Sequence, residues 1–180
     1  MRCFCRLGLG LFLLPGLLLG GCGESGDAGQ NPVTQRTGEP DYYETGDSNE
    51  LMDRAIARAQ ETYRELVEAM ASPLPTHGGH AVKKPFPIAG GGQEHIWITD
   101  LSWDGQKFTG ILGNEPVDTS AVAFGDRVSV TPQELSDWTY VDGNRVVGGY
   151  TIRVLQQQSS PEQRQRFLEM TGLDVPPVDF

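Results

Sequence analysis

The sequence predicts an α+β fold: an N-terminal amphipathic helix packed on a small, strongly curved antiparallel sheet, with a C-terminal helical segment. Three observations carry this. In Ser48–Ala71, Met52, Ala55/Ile56, Ala59, Tyr63, Leu66/Val67 and Met70 recur at three- and four-residue spacing, which draws one apolar stripe along a helix. Glu94–Asn114 reads as two strands folded across Asp104-Gly105, a pair able to supply the positive φ angles of a tight turn. Ser160-Pro161-Glu162-Gln163 joins an N-cap, a proline in the first turn and a capping-box glutamine, and so starts a second helix.

In chain order, Met1–Arg6 is short and basic, and Leu7–Leu19 is an apolar run too short for a spanning helix of about 20 residues. Leu19-Gly20-Gly21-Cys22 resembles the bacterial lipobox, in which the chain is cut before the cysteine and its thiol carries a diacylglycerol. Residues 1–21 are therefore expected to be a lipoprotein signal peptide and Cys22 the lipidation site, with palmitate-type acyl chains holding the protein to a membrane. Cys3 and Cys5 would leave with the signal peptide, so the mature domain would hold no cysteine and no disulfide. Gly23 and Glu24 follow with no aspartate directly after Cys22, which favours the outer membrane facing the periplasm. Losing Arg2 and Arg6 with the signal peptide would take the net charge from −10 to about −12. That charge repels nucleic-acid phosphates and steers cationic partners inward, so no nucleic acid is expected.

Residues 22–47 are poor in large apolar side chains and read as a lipidated cysteine followed by a disordered tether. The domain then spans 48–172. Asp47 and Glu50 have capping-box spacing at the head of the first helix, and Pro73 and Pro75 end it. Thr76–Gly92 reads as loop with one extended piece, Ala81–Pro87. In the central hairpin Ile96 and Ile98 fall on one face and Trp97, Leu101 and Trp103 on the other, which predicts a strand covered on both sides. Val117–Phe124 reads as extended, Arg127–Thr131 as a short strand and Pro132–Ser136 as a helical turn. Asp137–Val141 and Arg145–Gly148 form a second hairpin across Asp142-Gly143-Asn144. Tyr150–Gln157 alternates like a strand, yet groups its apolar residues like a helix, and the helix reading is taken. The sheet is expected to curl toward a half-barrel, and 173–180 is set apart as a C-terminal tail.

No residue pattern points to a catalytic site, and no cofactor is expected. His77-Gly78-Gly79-His80 offers two imidazoles that could share a metal. The spacing is not that of a helical zinc site and the glycines loosen the segment, so no metal site is assigned there. His95 follows Glu94, but adjacent strand residues point to opposite faces. Gly90-Gly91-Gly92 lacks the flanking residues of a phosphate cradle. Lys83-Lys84 reads as a solvated pair on an edge strand. Among the clustered aromatics, Trp97, Trp103, Trp138 and Tyr140 are the candidates for a binding surface.

Seven short motifs occur in a fixed order: Ala81–Pro87, Glu94-His95-Ile96-Trp97, Phe108-Thr109-Gly110, Asn114-Glu115-Pro116, Gly125-Asp126, Asp137-Trp138-Thr139-Tyr140 and Gly148-Gly149-Tyr150-Thr151. Together they resemble the YegJ-like family, domain of unknown function number 2314, over about Ala81–Leu155. The resemblance implies a small bacterial α+β domain. It brings no catalytic residues to carry over, and it implies an association with immunity proteins of toxin systems. The expectation is thus a non-enzymatic envelope lipoprotein whose acidic domain binds a protein partner, in an immunity-like version a basic toxin. The alternatives are an enzyme acting on envelope polymers through Asp, Glu or His, and a metal-binding protein using His77 and His80.

Overall fold

The computed structural model describes residues 33–34, 42–43 and 50–180 of the 180-residue chain. The expectations for the signal peptide, for Cys22 and for the Asp47 cap lie outside the described residues. Within the segment read as tether, β1 (Val33–Thr34) pairs antiparallel with β2 (Tyr42–Tyr43).

Helix α1 (Glu50–Ala71) buries Ala55, Ala59, Thr62, Leu66 and Ala69, while Met52, Tyr63, Val67 and Met70 pack half-buried against the same core. This is the stripe drawn by the three- and four-residue spacing. Its small members, Ala55 and Ala59, let the helix axis come close to the sheet. The indole Nε1 of Trp138 reaches α1 there and donates to Ala59 O at 3.1 Å and Thr62 Oγ1 at 3.2 Å.

The sheet under α1 has six antiparallel strands: β3 (His77–Pro87), β4 (Gln93–Trp103), β5 (Phe108–Leu112), β6 (Arg127–Val130), β7 (Asp137–Asp142) and β8 (Arg145–Gly148). Their spatial order is β6-β5-β4-β3-β7-β8. The sheet is open, with β6 and β8 as its edges. The connection from β6 to β7 crosses to the far side of β3 through a 3-10 turn, Pro132–Glu134. Gln60 on α1 ties this crossover down, its Nε2 donating to Gln133 O and Leu135 O.

Several local expectations are corrected. The first hairpin turns through Asp104–Lys107, four residues rather than two, because the Asp104 carboxylate accepts from the Gln106 and Lys107 N–H groups and closes an Asx-type turn. Val117–Phe124 is not a strand, since the N–H groups of Val117, Asp118 and Thr119 are all taken by Glu94. Strand β3 begins at His77 rather than Ala81, so His77–His80 is strand, and β3 is central rather than an edge. Lys84 therefore does not sit in open water but donates to Glu134 Oε1 at 2.7 Å and Ser129 O at 3.2 Å. Lys83 lies over the Trp97 ring, 5.3 Å from its centroid. Residues 173–180 are docked. Asp174 exchanges backbone hydrogen bonds with Val146 and Asn144, and Val178 and Phe180 pack on the core.

Helices α2 (Tyr150–Gln158) and α3 (Pro161–Thr171) close the domain. The capping box at α3 forms as the sequence predicts, with Gln163 N donating to Ser160 Oγ and Ser160 N to Gln163 Oε1. Helix α2 has no side-chain cap of its own, and Gly149 stands at its N-cap in the left-handed region. Its cap comes from another strand, as described next.

Candidate functional site

Two acidic side chains are buried in the sheet, and both are spent on backbone. Asp137, at the start of β7, is fully buried. Its Oδ1 accepts from Trp138 N at 2.8 Å and Tyr150 N at 3.0 Å, and its Oδ2 from Thr151 N at 2.9 Å and Thr151 Oγ1 at 2.6 Å. A carboxylate from β7 thus caps the positive end of α2. Burial pushes the Asp137 carboxyl up, while the Thr151 hydroxyl and the Lys83 ammonium pull against it. Burial lowers Lys83 in turn, against the attraction of Asp137. The glycines before α2 serve the same joint: Gly148 has φ +71°, and a Cβ there would stand 2.4 Å from Trp138 O. Glu94 plays the matching part on β4, the other neighbour of β3. It accepts from Val117 N, Asp118 N and Thr119 N at 2.8–2.9 Å and fixes the loop that leads to β6.

Three buried polar atoms have no partner among the described residues: Ser136 Oγ, beside Asp137, and His77 Nδ1 and His80 Nε2, which lie where β3 and β4 part. The two strands pair from Pro87↔Gln93 to Val82↔Ile98 and no further. Beyond that point each carries a bulge. On β3, Gly79 and His80 stand against Tyr140 alone, because Gly78 pairs with Val141 and Ala81 with Thr139. On β4, Asp100 and Leu101 stand against Gly110 alone, because Thr99 pairs with Ile111 and Ser102 with Thr109. A bulge bends its strand and breaks the ladder. Two of them side by side open the sheet into a cleft of about 480 Å³, lined by Gly79, His80, Thr99, Asp100 and Leu101 and closed on one side by Met70 and Pro73 at the end of α1.

The β4 bulge also corrects the reading of the central hairpin. One extra residue turns every later side chain to the other face. Leu101 and Trp103 therefore join Ile96 and Ile98 on the core side, and Trp97 is left on the opposite face. Trp103 packs against Tyr63 and Phe108, with ring centroids 5.8 and 4.6 Å away. Trp138 has no exposed surface. Two of the four aromatic candidates, Trp103 and Trp138, are thus core residues, and Trp97 is a half-buried platform under Lys83.

Tyr140 is the fourth, and it brings the histidines together. Its ring stacks on Trp138 at 6.3 Å and on His80 at 5.6 Å, and His77 tilts against it at 4.9 Å. This row of rings runs from the core to the cleft wall. His77 Nδ1 and His80 Nε2 are both buried without a hydrogen-bond partner among the described residues. Burial lowers His80 below the ordinary imidazole value, and the neighbouring His77 lowers it further. Burial, Asp142 and Glu65 raise the Tyr140 phenol, so the field at this end of the sheet is negative. No group of three or more metal-ligating side chains occurs among the described residues, and the His77 and His80 rings lie 6.5 Å apart.

Sequence reasoning singled out His77, His80 and Tyr140 but missed Asp100, Glu94 and Asp137 as organising residues. The signal for Asp137 was available as an acid at the head of an apolar strand. For Asp100 it was an acid within a hairpin strand that faces a glycine, Gly110, on the return.

A family profile described as "Uncharacterized protein conserved in bacteria (DUF2314)" matches residues 49–175. The chain is 32% identical over 144 residues to a Neisseria meningitidis serogroup B protein named "Putative ankyrin repeat protein", a match covering 76% of this chain and 57% of the relative. It is 31% identical over 107 residues to "Uncharacterized protein YegJ" of Escherichia coli K12, covering 59% of this chain and 68% of that one. The chain thus spans little more than half the length of the Neisseria relative. No solved structure matches it. The chain belongs to the bacterial DUF2314 family, the YegJ-like family that its ordered short motifs resemble.

Proposed function

We propose that this protein is a lipid-anchored envelope lipoprotein whose domain works as a non-enzymatic binding module, with the cleft between β3 and β4 as its binding site. The observation that carries the reading is the parting of two central strands at paired bulges, which leaves a buried His80 Nε2 and an exposed Asp100 carboxylate, both without partners among the described residues, beside a concave surface. Native proteins pair their buried polar groups, so an unpaired buried imidazole nitrogen beside a cleft supports a ligand as its partner. The lipobox at Cys22 supports anchorage at the outer membrane facing the periplasm. The acidity of the chain supports a cationic protein partner, of which an immunity-like role against a basic toxin is one form.

The test is capture from envelope extracts on the full lipidated chain, followed by binding of the recovered protein in purified form. A partner retained by the wild type and lost by His80→Ala supports the reading; no partner at low or moderate salt contradicts it. Cys22→Ala is expected to abolish labelling by an alkyne-tagged fatty acid and to move the protein to the soluble fraction. A second reading, an enzyme acting on envelope polymers, draws on one observation, that a histidine and a carboxylate line the same cleft. Release of soluble fragments from purified envelope polymers, lost in His80→Ala, would favour it over the binding module.

A further inference from the structure

The two bulges that open the cleft are built alike but filled differently. Each sets its first residue at positive φ, +62° at Gly79 on β3 and +51° at Asp100 on β4. Glycine is the residue such a position takes without steric cost, and every other positive-φ position among the described residues is a glycine. Asp100 is the exception. Aspartate tolerates this backbone region when its short side chain bonds the local backbone. At Asp104 the carboxylate does bond nearby N–H groups, and there the chain needs it. The Asp100 side chain makes no hydrogen bond and no ion pair among the described residues, it is exposed, and it lines the cleft. The local backbone therefore gives no reason for an acid in that place.

Its surroundings say what the carboxylate is for. The lining holds no lysine or arginine, and its one basic side chain, His80, is held toward the neutral form by burial, so no cation of the wall neutralises the carboxylate. The same end of the sheet carries the negative field of Asp142 and Glu65. His80, on the facing strand, holds a buried imidazole nitrogen with no partner among the described residues. A carboxylate and an unpaired imidazole in a negative, partly enclosed space suit a group that only donates hydrogen bonds and carries positive charge.

We propose that Asp100 is the ligand-contacting residue of the cleft, kept as aspartate where glycine would sit more easily because its carboxylate receives an ammonium or guanidinium group from a lysine or arginine of the partner. This rests on the cleft being the binding site and adds the chemical class of what enters it. It also explains why one bulge opens on glycine and the other does not: Gly79 only shapes the cleft, and Asp100 also meets the ligand.

The experiment is calorimetric titration of the full chain with a pentalysine peptide and with its fully side-chain-acetylated form, in the wild type, Asp100→Gly, Asp100→Asn and Asp118→Asn. Asp118→Asn removes one exposed charge from the loop held by Glu94, at the opposite end of β4. The wild type and Asp118→Asn are expected to bind pentalysine alike and the acetylated peptide at least tenfold more weakly. Asp100→Gly is expected to melt at the same temperature as the wild type or higher, and to lose at least tenfold in pentalysine affinity. Asp100→Asn is expected to lose as much. If Asp100→Gly melts lower and binds pentalysine as the wild type does, Asp100 serves the backbone alone and the proposal fails. It also fails if the wild type does not distinguish the two peptides. A partner captured equally by wild type and Asp100→Gly but lost in His80→Ala would overturn this assignment while leaving the cleft as the binding site.

Discussion

Glu94 and Asp137 are set into the same sheet as His80 and Asp100, yet the two pairs end in opposite conditions. The first two are buried, and between them they accept seven hydrogen bonds from the backbone and hydroxyl donors of loops and helix ends. The second two stand where the ladder stops, and among the described residues one has a buried nitrogen unpaired and the other a carboxylate in no ion pair. An acid inside a protein is commonly taken for a catalyst. Here the difference lies in where the hydrogen bonds end: inside the fold for the structural carboxylates, and at the cleft for the others.

That contrast ranks the expected effects of substitution. Asp137→Ala leaves the Tyr150 and Thr151 N–H groups buried without an acceptor and uncaps α2, and should cost about 3–4 kcal/mol, read by urea denaturation. Gly148→Ala drives a methyl into Trp138 O and forces an L side chain into positive φ; a loss of about 3 kcal/mol on the same measurement is expected. Glu94→Gln keeps the shape but weakens three charge-assisted bonds, for about 2 kcal/mol, and should raise amide exchange over Val117–Thr119 before the rest of the domain. A pH effect comes next. His80 sits below its ordinary value near 6.5 in the fold, so the unfolded chain takes up the proton first as pH falls. Stability contributed by neutral His80 is present above pH 6.5 and is lost as pH drops below it. Urea midpoints from pH 7.5 to 5.0 should fall more steeply in the wild type than in His80→Ala. Asp100→Gly stands at the bottom of the stability ranking, at or slightly above the wild type, although it ranks first for binding.

Much of the fold was legible because its signals are local. The stripe on α1, the capping box at Ser160 and Gln163, and the Asp142–Asn144 turn all lie within a few residues of what they specify. Helix α2 was harder, since its cap stands 13 residues away in Asp137 and its own Tyr150, Ile152 and Val154 alternate like a strand. The cleft was not legible. It depends on two bulges falling side by side on neighbouring strands, and neither a Gly-Gly in His77–His80 nor an aspartate in β4 announces that by itself. One consequence is instructive: the motifs that carry the family resemblance include Glu94, Asp137, Gly110, Gly148 and Gly149, which hold the architecture, whereas His80 and Asp100 fall outside them. The family motifs thus hold the domain together, and the residues proposed for binding lie outside them.

The most direct test of the cleft as the binding site is photo-crosslinking in cells expressing the full chain, with a benzophenone amino acid at Leu74, exposed next to Pro73 on the cleft wall, and at Met170, exposed on α3. The account predicts a discrete crosslinked species from position 74 that disappears when His80→Ala or Asp100→Gly is added, and none of that size from position 170. Crosslinks from position 170 alone, or a species at 74 that survives both substitutions, would contradict it.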